Sequence, residues 1–149
     1  MLIEKIREDM TAAMKSRDAV VLRTTRAIIA AVQEAEVAGK TATTLSDAEV
    51  EKVIKAQAKR RVEAAEAFDA AGRDEKAADE RAELEILESY LPEQLGEDEL
   101  GSIIDAALSE GGFSSMADMG AAMKAVNAVV AGRADGRVVA DAVKARLSG

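Results

Sequence analysis

Apolar residues recur along most of this chain at steps of three and four, the spacing that lines one face of an α-helix. Ile3, Ile6, Met10 and Met14 predict a first amphipathic helix, closed by Lys15 and Arg17 at its negative pole. Asp18 is placed to cap a second helix that carries Val21, Leu22, Thr25, Ile28, Ile29 and Val32. Gly39 stops it, and the threonine-rich stretch to Leu45 reads as a loop. Ser46 and Glu49 have the spacing of a capping box. They open a long helix with Val50, Val53, Ile54, Val62, Ala65 and Phe68 expected inward. Gly72 is its expected stop and Asp74 the expected cap of a fourth helix, which bears Leu84, Leu87 and Leu91 and ends at Pro92.

Beyond Pro92 the pattern shortens. Leu100, Ile103, Ile104, Ala107 and Leu108 mark a helix from about Glu97, broken by Gly111 and Gly112. Ser115 and Asp118 cap the next, with Met119, Met123 and Val126 on one face. The turn Gly132-Arg133-Ala134-Asp135-Gly136 leads to a last helix with Val139, Val143 and Leu147, capped by Asp135. No segment alternates with period two, so no sheet is expected. The expected fold is all-α: an N-terminal four-helix unit over residues 1–95 and a smaller three-helix domain over 96–149, with a hinge near Pro92 to Gly96.

Composition narrows the chemistry. Aromatics make up 2% of the 149 residues, so the core must be aliphatic. There is no cysteine and no histidine, which removes the thiol nucleophile, the commonest general base and the commonest transition-metal ligand. No phosphate-binding loop with a lysine occurs, and the serines stand in caps or loops. No catalytic residue, no metal site and no cofactor is therefore expected. No apolar run is long enough to cross a bilayer and no signal-peptide pattern opens the chain, so the expectation is a cytoplasmic protein without a membrane partner. The net charge of −8 means that nucleic acid is not attracted by the overall field and would need a local basic patch.

Two such patches are candidates. Lys52, Lys55, Lys59 and Arg60 lie along one side of the third helix, either as a phosphate track or as a solvated face paired with neighbouring carboxylates. Between Gly112 and Gly149 five basic residues, among them Lys124, Arg133 and Arg137, stand against three acidic ones. There the structural turn of Gly132, Asp135 and Gly136 either brings backbone N–H groups to a phosphate or is only a glycine-bracketed cap. The acidic residues Asp79, Glu80, Glu83, Glu85 and Glu88 are read as a solubilising face, and Met116, Met119 and Met123 as core.

Several of these segments also carry a resemblance. The run ELEILESYLPEQL from Glu83 to Leu95 resembles the central signature of the GatB/YqeY family. Asp118-Met119-Gly120 and the later Gly132-to-Gly136 turn resemble its C-terminal signature. Gln57, Lys59, Arg61, Glu63 and Phe68 with Gly72-Arg73-Asp74 resemble its third-helix region, and Leu22-Arg23 and Ala35-Glu36 its second. Gly96 stands where the family commonly has serine, and Val129, Val130 and Ala131 precede Gly132 where it usually has a lysine. The resemblance implies a helical fold with a smaller C-terminal domain. It also implies similarity to the tail of the B subunit of the glutamine-dependent aminoacyl-tRNA amidotransferase, which helps to hold tRNA while other domains do the chemistry. Two expectations follow, a non-catalytic tRNA- or RNA-binding module, or an accessory to or family-inherited form of a carbon–nitrogen ligase with glutamine as amido-N-donor. The net negative charge and the small C-terminal domain add a third, a protein adaptor, with amidotransferase or other translation-related proteins as partners.

Overall fold

The first helix, α1 (Leu2–Ser16), buries Ile3, Ile6 and Ala13. The inward position after Ile6 falls seven residues on, at Ala13, because two turns of helix take 7.2 residues. Met14, expected inward, is one step past the stripe and 52% exposed. The second helix, α2 (Ala19–Val37), starts as expected at Asp18, whose carboxylate accepts a hydrogen bond from the Val21 N–H at 3.2 Å. The structure, a computed structural model, describes residues 1–149 and contains helices and no strand, so the fold is all-α.

The third helix, α3 (Asp47–Ala70), opens on the Ser46–Glu49 capping box, with both reciprocal hydrogen bonds formed. Gly72 ends it at φ +72°, a left-handed conformation that favours glycine. The fourth helix, α4 (Asp74–Ser89), corrects one expectation. Arg73 occupies the cap position without a side-chain cap bond, and Asp74 and Glu75 lie in the first turn, where their charge suits the helix dipole. A second correction concerns Val62, which is 39% exposed. From Ile54 the inward stripe of α3 runs through Gln57 and Arg61 to Ala65, so two polar residues hold the central positions.

Residues Met1–Leu91 form one compact unit. Ile3 and Ile6 of α1, Ile28 and Val32 of α2, Val50 and Ile54 of α3 and Leu87 of α4 make its core. Two long-range polar bonds tie its ends. The Leu2 N–H donates to Asp47 at 2.9 Å, and the Tyr90 hydroxyl donates to Asp9 at 2.5 Å. Partial burial, with the Asp9 carboxylate beside it, pushes the Tyr90 phenol well above its ordinary value.

Residues Pro92–Gly149 form the second unit, so the chain divides between Leu91 and Pro92. Leu95, placed above at the end of the first domain, packs on the core of the second. Its helices are α5 (Glu97–Gly111), α6 (Met119–Val130) and α7 (Gly136–Ser148), with a 3-10 turn at Met116–Asp118. Each contributes three buried residues four apart: Leu100, Ile104 and Leu108; Ala122, Val126 and Val130; Val139, Val143 and Leu147. Met119 and Met123 pack on this core, whereas Met116, expected with them, is 43% exposed. The Gly111–Gly112 break has two causes. A Cβ on Gly111 would run into the Phe113 ring, and Gly112 adopts φ +67°.

Candidate functional site

On α3, Lys52, Lys55 and Lys59 fall within about 60° of the helix circumference, given about 100° per residue. They lie on the side away from Val50, Ile54 and Ala65. Lys52 and Lys59 are exposed and form no ion pair. Arg60 is also exposed, but lies about 80° round from Lys52, off the row. Glu63 and Glu66 share the face towards the C-terminal end of α3, so the cationic stretch stops after Lys59.

The second patch is built on a hydrogen-bonded turn. Ala131 and Gly132 take left-handed conformations, φ +48° and +81°. The Arg133 N–H donates to the Val130 carbonyl at 3.0 Å, and the Arg133 carbonyl accepts from the Leu95 N–H at 2.8 Å. The turn is thus fastened to the segment leading into α5. Asp135 accepts hydrogen bonds from the N–H groups of Arg137 at 2.8 Å and Val138 at 3.4 Å. The two N–H groups expected to meet a phosphate are therefore engaged by this chain's own carboxylate, and Gly136 is an ordinary first helical residue. What remains for a partner is side chains. Arg133 and Arg137 flank the turn and form no ion pair. Lys124 is exposed on the outer face of α6, with no bond linking it to either arginine.

The reading of α4 as a solubilising face holds for Asp79, Glu85 and Glu88, which are exposed, and fails for Glu80 and Glu83. The Glu83 side chain is 11% exposed and joins three helices. Arg23 Nε of α2 donates to its Oε1 at 2.5 Å. Arg61 Nη1 of α3 lies 3.3 Å from its Oε2 and donates to Glu80 Oε2 at 3.0 Å. The hydrogen bond and charge of Glu83 raise the Arg23 pKa, so that guanidinium is held charged. Beside this network lies a cavity of about 150 Å³ lined by Arg23, Thr24, Ala27, Gln57, Arg61, Glu83 and Leu87. A groove of about 410 Å³ adjoins it on the same three charged residues, Arg23, Arg61 and Glu83. Sequence reasoning passed over this site. Its signal was present: polar residues at the inward positions 57 and 61 of α3 and 80 and 83 of α4, the two helices with the weakest amphipathic pattern.

Taken together, the chain is a purely helical protein of two units, with cationic surface patches and one partly buried charge network. Residues 3–147 match the family described as Yqey-like protein, and the chain belongs to that family. No curated protein matches the chain. No helix is long and apolar enough to cross a membrane.

Proposed function

We propose that this protein is a non-catalytic RNA-binding module, with tRNA as the RNA class towards which the resemblance to the amidotransferase tail points. The observation that carries the reading is the lysine row on α3. Lys52 and Lys59 extend from the face away from the core with no carboxylate paired to them. At about 1.5 Å of rise per residue Lys52 and Lys59 stand about 10.5 Å apart along the helix, close enough to meet phosphates of one strand. Arg133 and Arg137 add a second cationic pair on a turn whose backbone is pinned from both sides. Both units are net acidic, with 15 basic against 19 acidic residues in the first and five against nine in the second. Binding on this reading is confined to these patches and weakens steeply with salt.

The test is a titration of folded tRNA with this protein at a series of salt concentrations. Log affinity should fall with log salt, and Lys52→Ala with Lys59→Ala should flatten that slope by about two. Affinity indifferent to salt, or to both substitutions, would remove the reading. In the accessory form of the same reading, adding the protein raises the rate at which a glutamine-dependent amidotransferase amidates tRNA-bound substrate. An unchanged rate removes that form alone.

A further inference from the structure

The network of Arg23, Arg61, Glu80 and Glu83 uses only part of its bonding capacity. A guanidinium carries five N–H donors. Arg23 commits Nε and Arg61 commits Nη1, and their other nitrogens have no protein partner. The Gln57 carboxamide, on the cavity wall, has none either. Asp79 is exposed on the lip of the groove without an ion pair, near enough to Arg23 to act on its charge. Three cations, Arg23, Arg61 and Lys76, and three carboxylates, Asp79, Glu80 and Glu83, line the two hollows, so their formal charge cancels.

That balance selects among ligands. A phosphate would gain three cations but face three carboxylates, and a lone cation would meet the reverse. A molecule bearing both charges would find a partner for each on the groove wall, the open edge of Arg23 and the carboxylate of Asp79. Bidentate guanidinium–carboxylate pairing suits the first and an ammonium group suits the second. The cavity behind has apolar walls at Ala27 and Leu87 and one free amide at Gln57. Its volume equals about five water molecules, which limits an entering side chain to roughly that many heavy atoms.

We infer that this hollow binds a free α-amino acid with a short uncharged side chain. The carboxylate rests on Arg23, the ammonium on Asp79, and the side chain enters between Ala27, Leu87 and Gln57. The site is separate from the lysine row of α3 and the turn around Arg133, so it stands or falls independently of RNA binding.

Calorimetric titration of the full chain with the uncharged L-amino acids, each up to about 20 mM, tests this. Saturable binding with Kd on the order of 1 mM or tighter is expected for at least one of them. The N-acetylated and the carboxamide forms of that amino acid should each bind at least about tenfold more weakly, as should inorganic phosphate. Arg23→Ala also strips Glu83 of a partner and so disturbs the fold. The decisive variant is therefore Asp79→Asn, which removes a carboxylate outside the network and should weaken binding about tenfold with unchanged thermal stability. Arg133→Ala with Arg137→Ala should leave it unchanged. No saturable binding by any amino acid, equal binding of the blocked forms or of phosphate, or full binding by the Asp79→Asn protein each overturns the proposal.

Discussion

The two units solve the same packing problem differently. The second is held by nine aliphatic residues, three from each helix at four-residue spacing, and it buries no polar side chain. Its ion pair, Arg146 Nε to Asp105 Oδ1 at 2.5 Å, stands at the surface. The first unit buries Thr24, Thr25 and Glu83 beside its aliphatic core. The threonines satisfy their hydroxyls locally, on the carbonyls of Val20 and Val21, and so link nothing across helices. Glu83 does the opposite, because both its oxygens are met from other helices. A carboxylate paired to both α2 and α3 fixes the orientation of α4 through directed bonds, and a cavity lies beside it.

The difference can be broken from either side. The largest effect is expected in the aliphatic unit. Ile104→Ala should cost it about 3 kcal/mol through the cavity left among α5, α6 and α7. A unit of this size has little stability to spare, so hydrogen exchange should show its amides losing protection while those of Met1–Leu91 keep theirs. Equal loss in both units would show that they unfold together.

Glu83→Gln should cost the first unit about 2 kcal/mol. This is less than for a fully buried pair, because the Arg23 side chain is 56% exposed and water takes over part of the pairing. Urea unfolding reads the loss. Glu83→Leu refilling the site at no cost would mean that the network gives no net stability.

A smaller effect separates folding from binding. Asp135→Ala should lower the stability of the second unit by about 1 kcal/mol through loss of the α7 cap. On the RNA reading it should also raise affinity, because a carboxylate leaves the cationic turn and two N–H groups are freed. Lower stability with unchanged RNA affinity would confine Asp135 to its capping role and take the turn out of the interface.

The smallest expected effect is in acid. The N–H groups of Ser114 and Ser115 hold the Asp118 carboxyl below its ordinary range, and Arg81 does the same for Asp69. A depressed carboxylate contributes stability above its unfolded value and loses it as pH falls through its folded one. Both contributions should therefore fade only below the usual aspartate range. Added salt should raise the Asp69 midpoint, which rests on an exposed ion pair. It should leave that of Asp118, which rests on backbone donors, nearly in place. Carboxyl chemical shifts over an acid titration distinguish the two.

Much of this was legible in the chain. The caps at Asp18, Ser46 and Asp135 and the stop at Gly72 follow from local chemistry: a short polar side chain meets nearby N–H groups, or a residue without Cβ takes positive φ. The stripes of α5 and α7 follow from periodicity alone, whereas on α6 only Val126 of the expected face is fully buried, with Ala122 and Val130 beside it and Met119 and Met123 at the edge. The charge network was legible only as a weakened amphipathic pattern on α3 and α4, which names no partners. Its members are separated by up to sixty residues, and each one alone reads as surface. Nothing local tells a solvated glutamate from one that meets two arginines of other helices. The sequence by itself determined most of the helix ends and the main apolar stripes, because those depend on neighbours a few residues away. Only the tertiary structure decided that Glu80 and Glu83 turn inward while Asp79 stays at the lip, and that Asp135 occupies the N–H groups a phosphate would need. Those outcomes depend on which helices pack together and which donor comes first within reach.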